Sequence, residues 1–118
     1  MGTLRRFLER LRESDEEALA REVREWAETV PGRVPIGQAR PRTRVKLAGI
    51  VRRITVLPVE GFEAFEVVLW DGTGEVTAVW LGRRGIPGLG LGSRLVVEGM
   101  LGTGREGLRM VNPTFEFG

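Results

Sequence analysis

The sequence predicts a mainly β protein, a five-stranded barrel preceded by an N-terminal α-helical extension. Three observations predict it. Apolar residues recur at helical spacing as far as Val30, the pattern changes to period two after Arg44, and five strand-like runs then follow, each bounded by glycine or proline. The chain divides accordingly into a helical extension over 1–33, a basic connector over 34–44 and a barrel over 45–118.

In the extension, Leu4, Phe7, Leu8 and Leu11 share one helical face, and 4–11 is a candidate surface for a protein partner or for a second copy of the chain. The run Ser14-Asp15-Glu16-Glu17 reads as a capping box, with Ser14 the N-cap of a second helical stretch. Ala18, Leu19, Val23, Trp26, Ala27 and Val30 form the apolar stripe of that stretch, and Pro31-Gly32 ends it. Trp26 is expected to dock this helix on the barrel.

The connector holds Pro35, Gly37 and Pro41, with Arg40, Arg42 and Arg44 at alternate positions. Three arginines in five positions fit either a solvated linker or an arm that grips phosphates.

The five runs are 45–57, 62–71, 75–81, 93–101 and 107–117. In the first, Val45, Leu47, Gly49 and Val51 share one face and Lys46, Ala48 and Arg52 the other, with Gly49 allowing the sharp bend of a small barrel. Arg52-Arg53 breaks the alternation, as a bulge that turns both side chains to solvent would. Asp71-Gly72-Thr73-Gly74 is a hairpin turn in which the Asp71 carboxylate accepts backbone N–H bonds, a structural role. The glycine-rich segment 82–92 lacks the spacing of a nucleotide-binding phosphate loop, which excludes that site.

With 118 residues there is room for one compact domain. The chain has no cysteine and no histidine, which removes disulfides, the usual structural zinc sites, thiol nucleophiles and imidazole bases. Half of its acids are spread along one helix, so the sequence predicts no enzyme and implies no cofactor and no metal. No segment has the ~20 uninterrupted apolar residues of a membrane helix or the apolar centre of a signal peptide, so a cytoplasmic location and no membrane partner are expected. The charge is asymmetric: 1–30 carry six arginines against eight acids, a net −2, whereas 31–118 carry eleven arginines and Lys46 against eight acids, a net +4. A basic surplus on the strands permits polyanion binding without requiring it, and one lysine among eighteen basic residues marks part of it as compositional bias.

Val45-x-Leu47-x-Gly49-x-Val51, Val67-x-Leu69-x-Asp71-Gly72-Thr73-Gly74-x-Val76, Gly92-x-x-Leu95-x-Val97-x-Gly99 and Asn112-Pro113, taken in order, resemble the pattern of an OB-fold. The resemblance covers about two-thirds of the chain. It is similar to the anticodon-binding domains of class II aminoacyl-tRNA synthetases and to the wedge domain of a fork-remodelling DNA helicase. With the Ser-Asp-Glu-Glu helix, the Pro-Ile connector and Val79-Trp80-Leu81-Gly82-Arg83-Arg84, the whole layout resembles a family of short actinobacterial OB-fold proteins described as nucleic-acid-binding. The resemblance implies a non-catalytic protein that binds single-stranded or branched DNA or RNA with weak sequence preference. The alternative is a protein-interaction or oligomerisation module serving a replication, repair or translation factor.

Barrels of this kind bind strands across the outer face of strands two and three, between the flanking loops. With Val67 and Leu69 inward, Glu66, Val68 and Trp70 point outward; with Val76, Ala78 and Trp80 inward, Thr77, Val79 and Leu81 point outward. Trp70 is then the stacking candidate, Thr77 and Val79 are its neighbours on the face, and Lys46, Arg52, Arg83 and Arg84 are candidate phosphate contacts. Arg105 joins them from the turn 102–107. The competing reading places Trp70 and Val79 beneath the N-terminal helix, and Trp80 is expected in the core.

Overall fold

The computed structural model describes residues 2–118. It is mainly β, with one N-terminal helix and a sheet that curls around a single apolar core. The helix, α1, runs unbroken over Gly2–Glu28. The strands are β1 (Arg44–Val59), β2 (Phe62–Trp70), β3 (Glu75–Leu81), β4 (Arg94–Met100), β5 (Gly102–Gly104), β6 (Gly107–Val111) and β7 (Thr114–Phe117). Hydrogen bonding orders them β5-β6-β3-β2-β1-β4-β7.

Seven strands stand where the sequence predicts five, because 102–104, expected as part of a turn, forms a strand of its own and the fifth run is interrupted. Leu101 alone separates β4 from β5. Its backbone bonds the connector, its N–H donating to Thr43 O at 2.9 Å and its carbonyl accepting from Arg42 N at 2.8 Å. Asn112 and Pro113 separate β6 from β7. Asn112 takes a left-handed φ of 52°, and Pro113 has no N–H to give a ladder.

The predicted second helix start is absent. Ser14 lies inside α1 and is exposed, so it caps nothing. Arginine, leucine, glutamate and alanine dominate this stretch and favour helix, and no glycine or proline interrupts it after Gly2; the small propensity cost of Ser14 and Asp15 does not stop propagation. Among the described residues, no helix is long and apolar enough to cross a membrane.

The inner faces of β1 to β4 and β6 meet as one cluster that includes Leu47, Val51, Phe65, Val67, Leu69, Val76, Ala78, Trp80, Leu95, Val97 and Met110. These are the alternate residues the period-two pattern selects. Trp80 is in this core. Its indole Nε1 donates to Pro113 O at 3.0 Å, and its ring meets Phe115 edge-on at 5.6 Å between centroids.

Three local devices set the sheet's curl and ends. At Gly49 a Cβ would come within 2.8 Å of Trp70 O, so only glycine lets β1 approach β2 this closely. Two residues on, the β1–β2 register slips between Val51 and Arg53, the predicted bulge, and both Arg52 and Arg53 are exposed. The buried Asp71 carboxylate then joins the β2–β3 turn to the connector. Its Oδ1 accepts from Thr73 N (2.8 Å), Thr73 Oγ1 (2.6 Å) and Gly74 N (3.2 Å), and its Oδ2 accepts from Ile36 N (2.9 Å).

Only the C-terminal part of α1 packs on the sheet. Ala27 is fully buried against Ala48 and Val96, with Trp26 and Val30 beside them, so Trp26 docks the helix on the outer side of β1 and β4. Every described residue of α1 up to Glu17 is exposed.

Candidate functional site

α1 docks on β1 and β4 and comes close to the β2–β3 turn, where Ala20 and Arg24 border Gly72, so the outer side of β3 and β6 lies away from the helix and register determines what that side presents. The inward row Ile54, Val67, Ala78, Met110 crosses β1, β2, β3 and β6 and packs in or against the core. By alternation, the rows on either side of it face outward. One is Arg53, Val68, Thr77, Arg109; the other is Thr55, Glu66, Val79, Val111.

The β5–β6 hairpin rises beside these rows and forms a groove of about 220 Å³ with them, lined by Leu57, Glu66, Thr77, Arg105, Glu106 and Arg109 among others. Arg109 Nη1 lies 3.4 Å from Glu66 Oε1 across its floor. The lining therefore offers two guanidinium groups, two carboxylates, a hydroxyl and the apolar side of Leu57. Such a set can hold an anion at the arginines and a flat apolar group on the floor.

The predicted site residues divide among four places. Thr77 and Arg105 meet in this groove. Val79 is on the outward row but is fully buried, so it is no contact residue; it sits mid-row, flanked by Glu66 and Val111 on the neighbouring strands. The helix does not cover it, since the helix packs on Ala48 and Val96.

Trp70 and Arg52 lie together at the far end of β2. Trp70 is half-buried rather than open, with the Arg52 guanidinium 4.4 Å from its ring centroid. Arg52 Nη2 in turn reaches Glu16 Oε1 of α1 at 3.3 Å. Outward residues on β2 run Glu66, Val68, Trp70, so at ~3.3 Å per residue the indole stands about 13 Å from the groove along the same face.

The remaining three candidates are elsewhere. Lys46 is on the helix-covered side with Ala48, its Nζ donating to Pro31 O at 3.3 Å. Arg84, just past β3, pairs with Glu63 at 2.8 Å, and Arg83 lies 5.8 Å from the Phe115 ring centroid. No family model matches the chain, and no curated protein matches it. Among the described residues, no three acidic side chains converge as they would to hold a metal ion.

Arg109, Leu57 and Arg53 belong to this face although sequence reading did not select them, and Glu66 was placed on it without being chosen as a contact. The signal for Arg109 is its place between Leu108 and Met110, both turned to the core. Reading it needs the parallel β3–β6 pairing, which no local pattern announces.

Proposed function

We propose that this chain is a non-catalytic OB-fold protein that binds single-stranded or branched DNA or RNA across the outer face of β2 and β3. The architecture that supports this follows from its two interrupted strands. With β4 and β5 counted as one strand and β6 and β7 as another, the pairings β1–β2, β2–β3, β3–β6, β6–β5 and β4–β1 close into a five-membered ring with one parallel pair. That order is similar to the strand plan of an OB barrel, whose ligands lie across strands two and three.

The observation that carries the functional reading is the row Arg53, Val68, Thr77, Arg109. Two arginines bracket a less polar centre on an uncovered face, flanked by the β1–β2 hairpin and the β5–β6 hairpin that carries Arg105. Phosphates of a strand crossing this face meet guanidinium groups at both margins, and its bases lie over Thr77 toward Trp70, with Val68 buried between them. No base-edge readout is implied, which suits weak sequence preference.

Fluorescence anisotropy of labelled oligo-dT, oligo-U and a duplex tests the proposal, with wild type and an Arg53→Ala/Arg109→Ala protein compared across salt. Single strands bind, affinity falls with salt, and the double variant loses up to about two units of the log–log salt slope. Binding of equal strength by both proteins would remove the face from the proposal, and no binding by wild type would remove the function. A second reading, a protein-interaction module, is favoured by the uncovered apolar stripe of α1.

A further inference from the structure

The outward residues of β2 run Phe62, Ala64, Glu66, Val68 and Trp70, so an aromatic ring stands at each end of the strand, ~26 Å apart along it. At the Phe62 end the face is apolar. Val59 pairs with Phe62, Leu57 and Leu81 flank Ala64, and Val111 ends the next row. Leu57, Val59, Phe62, Leu81 and Val111 are each 38–52% exposed, while Ala64 between them is buried. The two rings differ in what already lies on them. Trp70 lies under the Arg52 guanidinium. Phe65 pairs with Trp80, Trp80 with Phe115 and Phe115 with Phe117, and Trp26 lies under Arg94. Phe62 enters none of these contacts, so its exposed ring can take a flat group against it.

Size and charge narrow what that group is. The five half-exposed side chains offer on the order of 400 Å² of apolar surface, about half of what each partner brings to a stable protein interface. The patch is also continuous with a charged one. Leu57 lines the groove that holds Thr77, Arg105 and Arg109, so a single ligand can touch both. Such a ligand is flat and apolar at one end and anionic at the other. An unpaired nucleotide has that form, with its base toward Phe62 and its phosphate toward Arg105 and Arg109. Glu60 and Glu63, on either side of Phe62 in the hairpin, repel phosphate there, so the base and not the backbone reaches the ring.

We propose that Phe62 stacks an unpaired base, with Leu57 and Leu81 beside it, as a second stacking position at the end of β2 opposite Trp70. This rests on the reading of the outer face as strand-binding. With the groove arginines between the two rings, a strand along β2 covers about four or more nucleotides, the lower end of what an OB fold holds. No guanidinium has to leave Phe62 before a base arrives, so it takes a base more readily than Trp70 does.

The test measures binding of a labelled oligo-dT long enough to span both rings, and of an abasic strand of the same length, by wild type, Phe62→Ala, Phe62→Leu and Phe62→Tyr. Alanine and leucine weaken oligo-dT binding by roughly 5- to 100-fold, the loss of one base stack, and tyrosine retains most of the affinity. The abasic strand binds all four proteins alike, because it has no base to stack. Leucine and tyrosine decide the case should alanine loosen the hairpin, since both keep its bulk and only tyrosine keeps a ring. Equal oligo-dT affinity for all four proteins would overturn the assignment of Phe62 and leave the strand-binding face in place. Full affinity in the leucine protein would also overturn it, as an apolar contact in place of a stack. Failure of the wild type to bind any strand would remove the face and this inference together. A wild-type dimer lost in Phe62→Ala, with strand affinity unchanged, would overturn it in favour of a second copy on the patch.

Discussion

The Arg52 guanidinium lies over the indole of Trp70, 4.4 Å from the ring centroid, and the same guanidinium contacts Glu16 of α1. One side chain at a bulge thus covers the most exposed tryptophan face of the sheet and ties the middle of the helix to it. A base that stacks on Trp70 must first displace Arg52, so the arginine acts as a gate on the stacking surface as well as a charge beside it.

Replacing Arg52 with alanine therefore has two separable effects. Loss of the cation–π contact and of the partly exposed ion pair lowers stability by about 0.5–1 kcal/mol, read by denaturant unfolding. Acrylamide quenching of tryptophan emission rises at the same time, because Trp70 loses its cover. Unchanged quenching would show that Arg52 does not shield the ring in solution.

Trp70→Ala weakens single-strand binding by about 1–3 kcal/mol if a base stacks there. The comparison that isolates stacking is Trp70→Phe, which keeps a ring and retains most of the affinity. Equal affinity for wild type and Trp70→Ala would confine binding to the groove near Arg109.

Much of the fold was legible in the sequence because the inner rows alternate strictly: Leu47 and Val51, Val67 and Leu69, Val76, Ala78 and Trp80 all face the core as the period-two pattern requires. The bulge at Arg52-Arg53 was legible for the same reason, as a break in that pattern. Ser14 misled because a capping-box pattern also occurs inside helices, and only a chain break before it would have made it a start. The site was less legible than the core. Thr77 and Arg105 were found from alternation and from their turn, but Arg109 joins them through a parallel pairing of strands about 30 residues apart. Val79 was assigned the correct face and the wrong exposure, since alternation gives direction and does not give burial.

Asp71 holds four donors from two separate segments, and its removal leaves the buried Ile36 N–H unsatisfied and three part-buried donors of Thr73 and Gly74 without their acceptor. Asp71→Ala costs about 1–3 kcal/mol, the cost of one buried orphaned group. Asp71→Asn is milder but still destabilising, because its NH₂ must face a donor, either Ile36 N–H or those of Thr73 and Gly74. Denaturant midpoints for the three proteins give the order wild type, Asn, Ala. Equal stability of all three would show that the turn and the connector are not joined through this carboxylate.

Asn112 combines a left-handed backbone with a side chain that accepts from Leu81 N at 2.9 Å. Asn112→Gly relieves the backbone requirement and loses only the acceptor, whereas Asn112→Ala loses both, so alanine is less stable than glycine by about 1 kcal/mol. The reverse order in thermal unfolding would mean that the interruption between β6 and β7 does not depend on a left-handed residue.

Glu66 is the acid nearest the proposed phosphate contacts, 3.4 Å from Arg109 and on the groove floor. In the free protein the pair is partly exposed, so breaking it changes stability by less than about 1 kcal/mol. In the complex the carboxylate both competes for Arg109 and repels the strand. Glu66→Gln keeps the side chain's shape and removes its charge, which leaves Arg109 free to meet a phosphate. Single-strand affinity at low salt should then rise by roughly fivefold, the equivalent of about 1 kcal/mol for one charge at a partly exposed site, and the gain should shrink as salt screens it. The gain should also vanish in an Arg109→Ala background if it acts through that arginine. Tightening that persists without Arg109 would assign the effect to general repulsion by Glu66, and unchanged or weaker binding by Glu66→Gln would place the strand away from this groove.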